Sequence, residues 1–278
     1  MPGEGLPSRQ IGSFADLHLT DRVCRFGPED RPFEERHTAF TVAVVVEGTF
    51  QYRVGKAPVT LTPGSVILGT AGQDFVCSHE HGRGDRCVSI DFTPEALEDV
   101  ARSTGARDAR FHHATLPRNA RHFAAARMLL AGGDPVPPSA EEVARALAAD
   151  VLRSQSERTR APQPITWAEQ RRAVAVCRVI DERAAEPLSL AELAAHARLS
   201  PFHFLRSFKR ALGVTPHQYL VQTRLGRAAA LLLDTDRAVT DVAYEAGFAD
   251  LANFNRSFRQ TLGCTPREMR RRKIRKVS

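Results

Sequence analysis

The sequence predicts an α+β protein of two domains, a β-rich N-terminal half followed by an all-helical C-terminal half. Three observations carry this. Short β-branched runs broken by Gly and Pro fill the first hundred residues, helical periodicity takes over from Pro94, and the last hundred residues hold an internal repeat. A chain of 278 residues has room for two domains of roughly 100–150 each.

The strands come first. Thr41 to Val46 is short and β-branched and stops at Glu47-Gly48; Thr49 to Val54 alternates and breaks at Gly55 to Pro58. Val59-Thr60-Leu61 runs into Pro63-Gly64, and Ser65 to Leu68 ends at Gly69. Phe75 to His79 and Arg86 to Phe92 read as a hairpin around His81-Gly82-Arg83-Gly84-Asp85. Strands spaced this regularly by turn residues predict a sandwich or small barrel.

Helices follow over Pro94 to Ser103, Pro117 to Ala131 and Ser139 to Gln155. The last opens with Ser139 and Glu142, a capping box in which side chain and backbone satisfy each other. Gly132 to Pro138 separates two of these helices, and Glu157 to Gln163 is a polar linker. The helices between the halves have two open roles, a dimer contact or packing against the β-domain.

Composition narrows the function classes. The formal charge of +7 is uneven: from residue 168 onward 20 Lys and Arg face 11 Asp and Glu, and the remainder has 19 against 21. A basic half on a slightly acidic one suggests a polyanion partner for the C-terminal part. The longest apolar stretches fall far short of the ~20 residues that span a bilayer. The N-terminus shows neither a basic nor an apolar leader region, so the cytoplasm is the expected compartment. Five scattered cysteines (Cys24, Cys77, Cys87, Cys177, Cys264) argue against a disulfide framework.

The repeat is the strongest signal. Leu190-x-x-Leu193-Ala194-x-x-Ala197 recurs as Val239-x-x-Val242-Ala243-x-x-Ala246. Phe204-x-Arg206-Ser207-Phe208-Lys209-x-x-Leu212-Gly213-x-Thr215-Pro216 recurs fifty residues on, from Phe254 to Pro266. Each copy reads as helix, turn, helix. Ser189 caps a helix with Leu190, Leu193, Ala194 and Ala197 on one face. Ser200-Pro201 opens the second, where a missing N–H costs nothing, and Gly213 closes it. Thr215-Pro216 starts a long connecting helix to about Asp234. In the second copy Thr240 or Asp241 opens the first helix, Gly247 makes the turn, and Asp250 caps the next.

With Phe204, Phe208 and Leu212 inward, and Phe254, Phe258 and Leu262 inward in the second copy, each second helix has a free face. The first copy offers Phe202, Leu205, Arg206 and Lys209, the second Leu251, Ala252, Asn255, Arg256 and Arg259. Arginine can pair with guanine and asparagine with adenine in a major groove. Lys209, Arg210, Arg259 and the tail Arg270 to Lys273 suit phosphates, which supply affinity without sequence information.

From about Trp167 to Lys273 the sequence resembles the AraC/XylS family of bacterial transcription regulators. The signature is Ala243-x-x-x-Gly247-Phe248-x-Asp250-x-x-x-Phe254-x-Arg256-x-Phe258-Arg259-x-x-x-Gly263-x-Thr265-Pro266, with Arg224-x-x-x-Ala228-x-x-Leu231-Leu232 in the linking helix. The resemblance implies two helix-turn-helix subdomains whose recognition helices enter successive major grooves of promoter DNA. It puts base reading on Phe202, Leu205 and Arg206, and on Ala252, Asn255 and Arg256. Arg198-Leu199 departs from the pattern where the second copy has Gly247-Phe248.

Val46-Glu47-Gly48 and Leu61-x-Pro63-Gly64-Ser65 resemble the cupin-type sensing barrel of the same family. The expected organisation is a cupin-like sensing domain over 10–112, a helical linker and dimerisation region over 113–165, and a DNA-binding domain over 167–273. Its helix-turn-helix units are expected at 189–212 and 239–262. The implied partners are double-stranded DNA, an unknown small-molecule or metal effector, a second copy of the chain, and RNA polymerase if the protein activates. The weighed alternative is a cupin-type metalloenzyme fused to a DNA-binding domain. Of the cupin metal set only His37 fits: Glu35 and Thr41 occupy other ligand places, and Asp74 stands where a later histidine is expected. The protein is therefore expected not to be an enzyme.

One cluster is left. Cys77, His79 and His81 alternate, so they share a strand face, with Asp85 beside them and Cys87 facing them across the expected hairpin. These are donors that zinc or another transition metal takes, with Cys24 or His37 able to join. The other reading is a plain hairpin, with solvated histidines and cysteines acting as small apolar residues.

Overall fold

The computed structural model describes residues 8–55, 57–79, 84–106, 108–131, 139–156 and 166–274. It divides into two compact units, Met1–Arg118 with Met128–Ala161, and Asn119–Arg127 with Pro162–Ser278.

The first unit holds β1 (Ser8–Ser13), β2 (Leu17–Cys24), β3 (Phe33–Arg36), β4 (Phe40–Gly48), β5 (Phe50–Val54), β6 (Ala57–Leu61), β7 (Val66–Gly69), β8 (Asp74–Ser78), β9 (Asp85–Phe92) and β10 (Thr115–Leu116). They form two antiparallel sheets, in the orders β1-β2-β9-β4-β7-β10 and β3-β8-β5-β6. β4 lies between β9 and β7, and its Val42 to Val46 are all buried, as expected of a strand covered on both faces. Its Ala43 and Val45 point into the space between the sheets, where they meet Phe50, Tyr52, Leu61, Ile67, Cys77 and Cys87.

The expected hairpin of β8 and β9 does not form. β9 is hydrogen-bonded on both sides, to β2 and β4, while β8 pairs with β3 and β5 in the other sheet. With both edges of β9 taken, the chain after β8 crosses between sheets, so Cys77 and Cys87 face each other through the interior. Charge ties β2, β9 and β4 together across the larger sheet. Arg86 donates from Nε and Nη2 to the two carboxylate oxygens of Asp21, each at 2.9 Å, and from Nη1 to Glu47 at 3.2 Å. The hydrogen bond from Arg86 holds the Asp21 carboxyl below its ordinary range.

Helix α1 (Pro94–Thr104) is capped by Thr93 and closed by Gly105 in the left-handed region. Helix α2 covers Ala120–Ala131, starting three residues later than the sequence suggests, after Pro117 and Arg118. Helix α3 (Ala140–Ser156) opens with the predicted box, Ser139 N donating to Glu142 at 2.6 Å and Glu142 N to Ser139 Oγ at 3.2 Å. It packs on α1, and its Arg145 grips both oxygens of Asp16 before β2, at 2.6 and 2.8 Å. α3 therefore packs within the first unit. The linkers 132–138 and 157–165 lie outside the described residues.

The second unit is helical: α4 (Trp167–Arg183), α5 (Leu190–His196), α6 (Pro201–Leu212), α7 (Pro216–Asp234), α8 (Val239–Glu245), α9 (Leu251–Leu262) and α10 (Pro266–Ile274). The repeat extends further than the sequence motifs show, because α4 and α10 are helices too. The same Thr-x-x-Glu or Gln box opens α4 (Thr166, Glu169), α7 (Thr215, Gln218) and α10 (Thr265, Glu268). Each such cap is worth about 0.5–2 kcal/mol. α8 departs from expectation: its cap is Ala238, with no side-chain bond, and Thr240 and Asp241 fall inside the first turn.

The two turns differ at one position. Gly247 has φ +94°, and a Cβ there would come within 2.7 Å of the Ala184 carbonyl oxygen. In the first copy Arg198 takes the matching left-handed place with φ +54°.

Candidate functional site

In α6, Phe204, Phe208 and Leu212 are buried, with Phe208 edge-on to Tyr219 of α7 at 5.9 Å. In α9, Phe254 and Phe258 are buried and follow Phe248 in a chain of edge-to-face contacts, while Leu262 is only half-buried. These aromatic faces fix how each helix is rolled, and so which residues look outward. In α6 these are Phe202 (72% exposed), Leu205, Arg206 and Lys209; in α9 they are Ala252, Asn255, Arg256 and Arg259, with Leu251 half-buried. Asn255, Arg256 and Arg259 line a concave surface together with Thr240 and Arg267, the latter from α10. Arg267 was not singled out in the sequence, because α10 reads there as a basic tail.

The remaining basic residues of this half differ in their surroundings. Arg210 is half-buried and its guanidinium is bound to Glu169 of α4. The tail from Arg270 lies on α10, with Arg271 exposed and Arg270 half-buried.

In the first unit a cavity of about 290 Å³ lies between the sheets. One side is aromatic, with Phe33, Phe50, Tyr52 and Phe75; another is polar, with Arg22, Thr41, Ser89 and Asp91. Thr41 donates to Asp91 at 2.6 Å. His37 is stacked on Phe75 at 4.3 Å, its Nε2 is 2.8 Å from the Tyr52 hydroxyl, and burial pushes its pKa down to about 4. Asp74 faces outward and is held by Arg36 at 2.6 and 3.1 Å, while Glu35 and Thr41 line the cavity.

The cysteine and histidine cluster is arranged differently from its local spacing. Cys77 and Cys87 are buried in the inter-sheet core, and burial pushes both thiols up. His79 follows β8 and is buried, with Nε2 at 2.5 Å from Asp85 Oδ2. His81 lies outside the described residues. Among the described residues, the metal-type donors that converge are Cys24, His79 and Asp85. His37 is engaged with Tyr52 instead. Burial pushes the Cys24 thiol up to about 12.

Duplicated helix-turn-helix units sharing a central helix, in one chain with a β-domain enclosing a cavity, have the architecture of a DNA-binding domain joined to a ligand-binding domain. The model of an AraC-like ligand-binding domain matches residues 27–156, and that of a helix-turn-helix domain matches residues 193–272. The chain belongs to the AraC family of transcription regulators. The HTH-type transcriptional activator RhaS of Enterobacter sp. (strain 638) is 38% identical over 91 residues, 33% of this chain and 33% of its own length. The HTH-type transcriptional regulator ArgR of Pseudomonas aeruginosa is 35% identical over 85 residues, 31% of this chain and 26% of its own. A solved transcriptional regulator with an AraC-type DNA-binding domain, from Chromobacterium violaceum, is 28% identical with a TM-score of 0.37 and covers 39% of this chain and 96% of that one. The chain spans 40% or less of the length of the curated relatives it matches. Among the described residues, no helix is long and apolar enough to cross a membrane.

Proposed function

We propose that this chain is a one-component regulator that binds promoter DNA in the cytoplasm by laying α6 and α9 into successive major grooves. The observation that carries the reading is the matched pair Arg206 and Arg256. Each is exposed on the second helix of its copy, opposite a buried aromatic face. Arg206 and Arg256 read guanine edges and Asn255 an adenine; Phe202, Leu205 and Ala252 make apolar contacts; Lys209 and Arg259 hold phosphates. The barrel cavity takes the effector and acts by binding one conformation better than the other, the one that also favours DNA. The protein works as a dimer, contacts RNA polymerase where it activates, and is a regulator rather than an enzyme.

Footprinting on a preferred promoter fragment tests this. Two protected patches about one helical turn apart, ~34 Å, are expected. A single protected groove segment contradicts two-helix engagement.

A further inference from the structure

We propose that Cys24, His79 and Asp85 form a binding site for a divalent cation of the zinc class at the edge of the barrel cavity. Its meaning as part of the effector site rests on the regulator reading above; its chemistry stands apart from DNA binding.

Two donors come from paired strands and the third from the residue that follows β8. Cys24 ends β2 and Asp85 begins β9, and the two are directly opposite in the antiparallel register. The glycine before Asp85, Gly84, has φ +70°, and a Cβ there would meet the Cys24 carbonyl oxygen at 2.6 Å, so the close approach of the two strands depends on it. His79 arrives from the other sheet. Its ring is stacked between Phe50 at 5.7 Å and Phe33 at 6.3 Å, with Phe26 at 6.4 Å, which holds Nε2 toward Asp85.

One ligand atom from each of the three residues lies within 4.8 Å of the other two. Tetrahedral zinc, with bonds of about 2.0–2.3 Å, holds its donors on the order of 3–4 Å apart, so shifts below ~1 Å close the set. A thiolate beside an imidazole and one carboxylate selects zinc, cobalt or nickel over magnesium or calcium, which prefer all-oxygen shells. On binding, the Cys24 thiol gives its proton to solvent and its sulfur becomes a ligand. Cys87 stays outside this set, its thiol donating to the second Asp85 oxygen at 3.5 Å. Cys24, Asp85 and Cys87 also line the cavity, so an ion held here faces the space available to a small ligand. The competing account is a buried hydrogen-bonded His79–Asp85 pair with no affinity for metal.

Titration of the metal-free full-length chain with Co²⁺ separates the two. We expect one ion per chain with a thiolate-to-cobalt charge-transfer band. Cys24→Ser should abolish that band, while His79→Gln and Asp85→Asn weaken binding by ~10-fold or more. Cys177→Ser, in the helical unit, should leave it unchanged. X-ray absorption of the cobalt-loaded wild type gives a readout that needs no variant, and a mixed shell of sulfur with nitrogen or oxygen is expected. Absence of the band in wild type, its survival in Cys24→Ser, or a shell without sulfur overturns the site. The regulator reading fails separately, in the footprint, with or without metal.

Discussion

Arg224, in the middle of α7, donates from Nε to the carbonyl of Ala184 at 2.7 Å. Its Nη2 donates to the Glu186 carbonyl at 2.8 Å. These acceptors lie where α4 ends, so a side chain of the connecting helix satisfies carbonyls that the helix end leaves free. Charged hydrogen bonds of this kind contribute about 1.5–3 kcal/mol. Arg224→Ala should lower the denaturant-unfolding free energy of the helical unit by about that amount. No change would mean that water replaces the guanidinium without loss.

Base-reading and phosphate-holding side chains should separate by sequence dependence. Arg256→Ala and Arg206→Ala are each expected to cost ~1–3 kcal/mol at the specific site and to relax preference at one base pair. Arg259→Ala should weaken specific and random DNA alike and reduce the salt slope by about one. Arg210→Ala should leave that slope untouched, since its guanidinium is already spent on Glu169. Binding measured over a salt series on both DNAs checks all four.

The two turns should respond with opposite signs. A left-handed backbone costs a non-glycine residue ~1–2 kcal/mol, and the extra unfolded-state freedom of glycine offsets ~0.4–1 of it. Arg198→Gly, at φ +54°, should therefore stabilise by up to about 1 kcal/mol. Gly247→Ala should destabilise by ~1–2 kcal/mol or more, because the added Cβ also meets the Ala184 carbonyl. Equal responses in thermal unfolding would contradict the geometry.

The barrel should lose stability on mild acidification. His37, pushed down to about 4 mainly by burial, stays uncharged in the folded state above that pH, whereas an unfolded histidine gains its proton near ~6.5. Between those values the unfolded chain binds more protons, so the contribution is full above about 6.5 and is lost as pH falls toward 4. Unfolding midpoints of the wild type should drop across this range more steeply than those of His37→Gln. Parallel profiles would show that His37 takes up its proton without cost in the folded barrel.

The helical half was legible because a repeat states each position twice: the buried Phe204 and Phe254 and the exposed Arg206 and Arg256 check one another. Its outer helices were less so, since α4 lies before the repeated motifs and α10 is masked by Arg270 to Lys273. In the β-half, β4 announced itself by Val42 to Val46. β2 did not, because Asp21 interrupts its alternation at a buried position where only the partner Arg86, far along the chain, explains it. β1 is largely exposed and β3 has four residues, so neither has an apolar pattern to find. The hairpin of β8 and β9 was misread for a related reason. Neighbouring strands with a glycine-rich link pair by default, and only β2 and β4 on either side of β9 forbid it. That same crossing separates Cys77 from the donor set that local spacing suggests and leaves Cys24, His79 and Asp85 as the residues that converge.

α7 is at once the last helix of the first copy and the first helix of the second, opened by the same threonine box as α4 and α10. The phase between the copies is thus stored as a residue count in one rod. Adding a single residue to it would swing the downstream copy by about 100° and advance it ~1.5 Å; adding seven would nearly restore its facing while moving it ~10 Å away. Length changes in this helix therefore act as a gear, with most settings out of mesh and a few that re-engage at a longer stride.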